Sequence, residues 1–178
     1  MKQKVFIEFG VGNDFKDIKE KALYDYYTIT IDKRPASKNY KKNSDFVDQY
    51  IIGDWNDDYD IPKADEWCCI SCFEHILPEE IDKSINGIIK KIKHDSIGKI
   101  HVDLTDHLGG FNHYDDQLYK EKKYNSRYVN RIKYNEWKNI FCKYFTFKEY
   151  SHYFEDKITI VDSIHPRGIT LIDVKLIK

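Results

Sequence analysis

The sequence lacks the features that would place the protein at a membrane, outside the cell or on nucleic acid. No segment approaches the run of about 18 apolar residues that a membrane-spanning helix needs, and the apolar part of the first ten residues is too short for a secretory signal. Neither charge sign is in large excess, since the formal net charge is -1, whereas a general nucleic-acid binder carries a clear basic excess. We therefore expect a cytoplasmic protein that binds neither membranes nor nucleic acids.

Cysteine is scarce, with four in the chain. Cys68, Cys69 and Cys72 crowd one short apolar segment, which is poor geometry for a disulfide framework and favours reduced thiols. Cys69 and Cys72 have the spacing of a redox pair. Strand alternation instead makes these side chains small members of a hydrophobic core, and we adopt that interpretation.

Internal repeats, low-complexity tracts and linkers are also absent. The 178 residues suffice for one domain with a sizeable core that needs no disulfide or metal ion. Hydrophobic residues make up 41% and charged residues 33%, which is an ordinary globular composition. We predict a single domain over residues 1–178.

The chain does contain an alternation of β-rich and helix-compatible segments. The predicted strands are Val5–Phe9, Tyr27–Asp32, Gln49–Trp55, Glu66–Phe73, Lys99–Asp106, a run within Phe145–Ile160, and Gly168–Lys178. The predicted helices are Asp14–Tyr26, Pro78–Lys93 with a stop at Gly98, and Tyr134–Tyr144. This order predicts an α/β fold with a mainly parallel seven-stranded sheet and helices on both faces. Only a turn joins the last two strands, so they should form an antiparallel pair at one edge.

Two glycines, Gly10 and Gly12, follow the first strand and precede the first helix. Glycine permits a tight turn and the close approach of a ligand to the backbone. Asp32 ends the next strand about twenty residues later, the position from which a carboxylate reaches ribose hydroxyls. Ligands of open α/β sheets bind beyond the carboxyl ends of the strands, so the pattern predicts a nucleoside-containing ligand there.

The residues after the glycines discriminate between two such ligands. A dinucleotide enzyme has a third glycine that seats the pyrophosphate at the helix N-terminus, whereas this chain has Asn13 and Asp14. An added acid repels a pyrophosphate, but a ligand with a cationic amino group tolerates Glu8 and Asp14. S-adenosylmethionine is therefore favoured. An NAD-dependent oxidoreductase remains the alternative, with a Tyr-x-x-x-Lys spacing at Tyr119–Lys123 that lies in a polar tract.

The order of these motifs resembles that of the class I S-adenosylmethionine-dependent methyltransferases. The acidic-x-Gly-x-Gly motif of that family is similar to EFGVGN, in which the usual third glycine is replaced. Its next four strand signatures resemble, in turn, TITID, IIGDW, DEWCCISCFEHI and GKIHVDLTDH. A later segment of members tied to bacterial surface-sugar biosynthesis is similar to YVNRIKYNEWKNIF. The resemblance covers almost the whole chain and implies a Rossmann-like methyltransferase fold.

The resemblance also implies a cofactor, S-adenosylmethionine, and the residues that hold it. Glu8 and the two glycines would surround the methionine part, with backbone at Cys69 and Ser71 beside it. Asp32 would bind the ribose. The complete implied set is Glu8, Gly10, Gly12, Asp32, Asp54, Trp55, Cys69 and Ser71, in which Asp54 and Trp55 meet the adenine.

The implied reaction is methyl transfer to a small acceptor, which we expect to be a hydroxyl of a sugar, sugar nucleotide or glycan precursor. Few residues precede the first strand, so the helices that often form a lid are absent or come from a partner. This departure keeps a second hypothesis open, a non-catalytic S-adenosylmethionine-binding subunit that supports a partner enzyme. A homodimer is also left open.

A hydroxyl acceptor needs a general base. His107 is our candidate because histidine titrates near neutral pH, and Asp106 would orient it; a loop histidine bonded to backbone is the alternative. Glu74 and His75 are more consistent with a structural role. The predicted acceptor-binding residues are His113, Tyr114, Arg127, Asn130 and Arg131, although the basic ones could equally form a solvated face.

A metal ion is a further alternative at the end of the fifth strand. Asp103, Asp106, His107 and His113 include ligands that a magnesium-assisted sugar methylation would use. Their spacing does not fix a coordination geometry, so we predict no metal site.

Overall fold

The computed structural model describes residues 3–11, 16–33, 44–104, 130, 132–154, 157–159 and 168–177. It divides into two compact units. The first unit consists of Met1–Ile70 and Lys83–Lys99, and the second of Ser71–Asp82 and Ile100–Lys178. The prediction of one domain over residues 1–178 stays a prediction.

The first unit is built on parallel strands. Strands β1 (Val5–Phe9), β2 (Tyr27–Asp32), β3 (Gln49–Ile52) and β4 (Ala64–Ile70) follow the spatial order β3-β2-β1-β4, and all three pairings between them are parallel. Phe9 is paired with Ile31 of β2 and with Cys69 of β4. Because the strands run in one direction, their carboxyl ends meet at one edge of the sheet.

Burial explains why these sequences form central strands. Every residue of β1 is buried, as are the last five residues of β2. A parallel sheet of this kind is covered on both faces, which is why its polar residues Glu8, Thr28, Thr30 and Asp32 are buried together with the apolar ones. Helix α1 (Lys16–Leu23) places Ile18 in a cluster with Phe6 and Cys68.

Helix α2 (Ile81–Lys91) follows a single 3-10 turn at Pro78–Glu80. Its isoleucines recur at helical spacing, and Ile81, Ile85 and Ile88 are fully buried. Among the described residues, no helix combines the length and the apolar character that crossing a membrane requires.

The second unit contains the end of β5 (Ile92–Asp103), followed in space by β8 (Gly168–Leu176), β6 (Phe145–Phe154) and β7 (Lys157–Thr159). Strand β6 is antiparallel to both β8 and β7, so the predicted antiparallel C-terminal pair is confirmed.

Aromatic packing anchors a helix of the second unit. Helix α3 (Tyr134–Phe141) packs Trp137 and Phe141 onto Phe73, with ring centroids 6.1 and 5.2 Å from that ring. Phe73 begins a 3-10 helix that ends at His75.

The structure confirms the predicted α/β class and corrects several boundaries. The run expected within Phe145–Ile160 is divided into β6 and β7, which gives eight strands in the described part of the chain. The fourth strand ends at Ile70, before the predicted Phe73. The buried, reduced Cys68 and Cys69 confirm the core interpretation of these two cysteines.

Gly98 does not stop a helix, and that prediction was wrong. The helix ends at Lys91, β5 begins at Ile92, and Gly98 lies within the strand. A Cβ atom at Gly98 would lie 2.1 Å from Cε2 of Trp67. Glycine is required there because the indole ring occupies the volume of a side chain.

Candidate cofactor site

The carboxyl ends of β1, β2 and β3 are joined by backbone hydrogen bonds. The Gly10 amide donates to the Ile31 carbonyl at 2.8 Å, and the Gly53 amide donates to the Asp32 carbonyl at 2.9 Å. Gly10 has a φ of 74°, which lies in the left-handed region and favours glycine. The chain therefore turns sharply directly after β1, at the edge where the parallel strands end.

Two carboxylates lie at this edge within the strands themselves. Glu8 is 4% exposed and Asp32 is 5% exposed. Glu8 is paired with Thr30 of β2, two residues before Asp32, so both acids are set by the β1–β2 register. Buried carboxylates are costly unless cations or hydrogen-bond donors compensate them. The two acids give this edge of the sheet an acidic character.

A second acid lies close to Glu8. Carboxylate oxygens of Glu8 and Asp17 and the sulfur of Cys68 lie within 4.8 Å of one another. Lys99 of β5 places its Nζ atom 2.9 Å from Oδ1 of Asp17. Burial alone would lower the pKa of Lys99, but Asp17, Cys68 and Glu8 raise it above its ordinary value. Because an ammonium group already provides a counter-charge, we assign no metal ion to this cluster.

The loop after β3 holds Asp54 in one orientation. Its Oδ1 atom accepts hydrogen bonds from the backbone amide and the side-chain amide of Asn56, at 2.9 and 2.6 Å. Its Oδ2 atom lies 2.8 Å from Nζ of Lys33. Burial alone would raise the pKa of Asp54, but Lys33 and Asn56 lower it below its ordinary value. The carboxylate is therefore ionised at neutral pH.

Trp55 is a core side chain rather than an exposed ring. It is 7% exposed, its Nε1 atom donates to the Ile31 carbonyl at 3.3 Å, and its ring lies edge-on to Phe9 with centroids 5.9 Å apart. These contacts fix the loop after β3 to β1 and β2. The predicted contact between Trp55 and an adenine ring stays a prediction.

Cys69 and Ser71 follow each other closely at the end of β4. Cys69 is fully buried, and the predicted contact of its backbone with a ligand stays a prediction. Ser71, which belongs to the second unit, has a φ of 51°, and its amide donates to the His101 carbonyl at 3.0 Å. A non-glycine residue in this conformation marks a local constraint on the backbone.

In the second unit, Asn130 braces the 3-10 helix that begins at Phe73. Its Nδ2 atom donates to the carbonyls of Phe73 and Ile76, each at 2.9 Å, and its amide donates to the Glu74 carbonyl at 2.7 Å. These bonds indicate that the Asn130 side chain positions the backbone of the 3-10 helix. The predicted contact of Asn130 with an acceptor stays a prediction.

Glu74 is a fully buried acid of the same unit. Burial raises its pKa well above the ordinary value, and the charge of Asp103 acts in the same direction. Burial therefore favours the protonated form of Glu74. The structural role expected for it stays a prediction.

Several predicted residues lie outside the part of the chain that the structure describes. They are the second glycine of the turn, the proposed base with its orienting acid, and four acceptor-binding residues: Gly12, His107, Asp106, His113, Tyr114, Arg127 and Arg131.

Sequence reasoning missed four residues that shape the site. Lys33 and Asn56 hold Asp54, Lys99 neutralises Asp17, and Lys91 binds the loop after β3. Asn56 lies two residues beyond its partner, so an Asp-x-Asn turn was a local signal for it. Lys91, which is buried, and Lys99, which is half-buried, lie far along the chain from their partners and carry no local signal.

No protein-family model and no curated protein matches the chain. Solved structures do match it over nearly its whole length. One is an S-adenosylmethionine-dependent methyltransferase from Clostridium acetobutylicum, with a TM-score of 0.66 and 13% identity over 97% of this chain and 84% of that one. A second is the 1,6-didemethyltoxoflavin-N1-methyltransferase of Burkholderia thailandensis, solved with S-adenosylhomocysteine, with a TM-score of 0.64 and 11% identity over 96% and 72%.

A third match is the N-methyltransferase NodS of Bradyrhizobium japonicum, in complex with S-adenosylhomocysteine, with a TM-score of 0.62 and 9% identity over 97% of this chain and 78% of that one. At these identities the likeness shows the fold alone. The chain has the Rossmann-like methyltransferase fold.

Proposed function

We propose that the protein binds S-adenosylmethionine and transfers its methyl group to a small acceptor. The observation that carries this proposal is the edge where β1, β2 and β3 end, at which a left-handed glycine adjoins two buried carboxylates and an ionised third one. The structures of similar fold from Burkholderia thailandensis and Bradyrhizobium japonicum, both solved with S-adenosylhomocysteine, support the choice of ligand.

The residues at this edge fit the chemical groups of the ligand. Glu8 would attract the ammonium group of the methionine part, and the turn at Gly10 and Gly12 would bring backbone close to it. Asp32 would accept hydrogen bonds from the ribose hydroxyls. Asp54, held ionised by Lys33 and Asn56, would accept from the adenine amino group.

Three further residues of the implied set would contribute without a side-chain hydrogen bond to the ligand. Trp55 would support the adenine loop from the core, as its bond to the Ile31 carbonyl indicates. The backbone at Cys69 and Ser71 would adjoin the methionine part. The acidic character of the whole edge favours a cationic ligand over a dinucleotide, whose pyrophosphate two buried carboxylates would repel.

The bound cofactor supplies an activated methyl group on a sulfonium. The protein binds and orients the two reactants, since proximity and alignment account for a large part of the acceleration of such displacements. It also excludes water from the reacting groups. A hydroxyl acceptor additionally requires that a proton be removed.

We propose His107 as the base, oriented by Asp106, and a hydroxyl of a sugar, sugar nucleotide or glycan precursor as the acceptor. His113, Tyr114, Arg127, Asn130 and Arg131 would contact that acceptor. The support for this part is the resemblance of YVNRIKYNEWKNIF to members tied to surface-sugar biosynthesis. A homodimer stays a prediction.

Thermal denaturation with separate ligands tests the cofactor proposal. Saturating S-adenosylmethionine or S-adenosylhomocysteine should raise the melting temperature, because a ligand that binds only the folded state stabilises it. NAD should leave the melting temperature unchanged. A rise with NAD alone would replace the proposal with an oxidoreductase.

Turnover distinguishes an enzyme from a supporting subunit. The isolated chain, once shown to bind the cofactor, should release S-adenosylhomocysteine when a panel of hydroxylated sugars is added. Binding without turnover on any member of the panel would favour the non-catalytic subunit.

A further inference from the structure

Helix α2 approaches the loop after β3 through two residues that lie four positions apart, Gly87 and Lys91. Residues at this spacing share one face of a helix. A Cβ atom at Gly87 would lie 2.6 Å from the carbonyl oxygen of Trp55 and 2.9 Å from Oδ1 of Asn56. No real Cβ atom comes this close to backbone, so glycine is required for the helix to reach the loop.

Lys91 binds the same loop with its ammonium group. The residue is 5% exposed, and its Nζ atom donates to the carbonyls of Trp55 at 2.6 Å and Asp57 at 2.8 Å. The Nζ atom also lies 5.3 Å from the centroid of the Tyr59 ring. Burial lowers the pKa of Lys91 from its ordinary value, while the charge of Asp58 acts in the opposite direction. A lysine in this environment is tied to its two carbonyls rather than to solvent.

The bonds of Lys91 enclose the residue that holds Asp54. Trp55 and Asp57 flank Asn56, whose two amide groups bind the Asp54 carboxylate. The Asp54 carbonyl in turn accepts from the Asp57 amide at 3.1 Å and from the Tyr59 hydroxyl at 3.0 Å. Fixing the carbonyls of Trp55 and Asp57 therefore fixes the direction of the Asp54 carboxylate as well.

We propose that Lys91 is a positioning residue that sets the base preference of the nucleoside site. The proposal rests on the proposed function, in which Asp54 meets the adenine amino group. An ionised carboxylate accepts hydrogen bonds and donates none. An Asp54 carboxylate held in one direction therefore favours a base with an amino group and repels one with a carbonyl oxygen, such as hypoxanthine. A loosened loop would let the carboxylate turn away, and the preference would fall.

Calorimetric titration with S-adenosylhomocysteine and with S-inosylhomocysteine tests this role. The parent protein should prefer the adenine ligand by about tenfold or more, as expected when one ligand leaves a buried polar group unpaired. Lys91→Met should lower that preference to about twofold or less, because methionine cannot donate to the two carbonyls. The matched control is Lys90→Met, at an exposed position on the same turn, which should keep the parent preference.

The outcomes separate this inference from the proposed function. A parent protein that binds neither ligand contradicts the proposed function itself. A parent that binds with preference, beside a folded Lys91→Met with that preference intact, overturns the role of Lys91, whatever the variant does to the melting temperature. If circular dichroism shows that Lys91→Met does not fold, Gly87→Ala takes its place, since its methyl group would displace the same loop. An unchanged base preference in Gly87→Ala would then overturn the proposal.

Discussion

Lys99 in β5 and Asp17 in the first turn of α1 form an ion pair, with Nζ 2.9 Å from Oδ1. Both side chains are largely shielded from solvent, and Glu8 and Cys68 lie beside them. The pair ties the helix that follows the glycine turn to the sheet beneath it. The charge of Glu8 acts on the same ammonium group, so the cluster combines two acids with one lysine.

Removing the lysine should destabilise the fold. Lys99→Met leaves two shielded acids without their cation and should lower the free energy of unfolding by about 1–3 kcal/mol. The matched control is Lys93→Met in the same strand, whose pair with Asp65 is more exposed, so its loss should cost about 0.5 kcal/mol or less. Urea unfolding at pH 8 measures both, and equal stability of the two variants would contradict this assignment.

The effect of Lys99→Met should depend on pH in one direction. The pKa of Lys99 is raised in the folded protein, so its contribution is complete below the unfolded pKa, about 10.4. The contribution is lost as the pH rises from there through the folded pKa. The stability difference between the parent and Lys99→Met should therefore be constant from pH 7 to 9 and shrink in more alkaline buffer. A difference that grows with alkaline pH would contradict this sign.

Asp32 should contribute to ligand affinity rather than to turnover of bound ligand. Asp32→Ala removes an acceptor for two ribose hydroxyls, and the dissociation constant for S-adenosylhomocysteine should rise by about tenfold or more. Asp95→Ala, an exposed acid of β5, is the control and should bind like the parent. Thermophoresis with labelled protein gives both constants. Parent-like affinity in Asp32→Ala would remove Asp32 from the site.

His107 should affect the chemical step. His107→Ala removes the proposed base, so kcat should fall by about 100-fold or more, while the affinity for S-adenosylhomocysteine stays within about twofold of the parent value. His94→Ala, an exposed histidine of β5, should change neither quantity. Steady-state assays with the best sugar of the panel measure kcat. Parent-like turnover in His107→Ala would contradict the assignment.

Glu74 should contribute more to the stability of the fold in acid than at neutral pH. Its pKa is raised well above the ordinary value by burial, so the unfolded chain loses this proton first, above about pH 4.3. The contribution of Glu74 to stability is therefore complete below that pH and declines as the pH rises toward the folded pKa.

Glu74→Gln removes this titration and should raise the free energy of unfolding at pH 7 relative to the parent, with the two converging near pH 4. Glu80→Gln, at an exposed position, is the control, and its free energy of unfolding should stay close to that of the parent at both pH values. Chemical unfolding across pH 4 to 7 decides it. A parent that gains no stability relative to Glu74→Gln on acidification would contradict a raised pKa of Glu74 in the folded state.

The sequence predicted the first two strands to the residue because their signals are local. Val5–Phe9 and Tyr27–Asp32 are continuous apolar and β-branched runs bounded by glycine or charge, as buried parallel strands require. The fold followed from the order of such segments, and the antiparallel pair followed from the lack of a helical pattern in the sequence between the last two predicted strands. These features depend on neighbours in the sequence.

The remaining features depend on distant residues, which a single sequence does not reveal. Gly98 has the local pattern of a helix stop. Glycine is required there, however, because of the ring of Trp67, which lies 31 positions earlier in the chain. Lys91 binds a carbonyl 36 positions away, and Lys99 binds a carboxylate 82 positions away. Trp55 was identified from its motif, but its burial against Phe9 follows only from the packing of β1 beneath the loop.

Isothermal titration of the unmodified protein with S-adenosylhomocysteine tests the central claim most directly. The acidic edge at the ends of β1, β2 and β3 predicts saturable heat with one ligand bound per chain, and competition by S-adenosylmethionine for the same site. Absence of heat with both ligands, from protein shown to be folded, would contradict the proposed function.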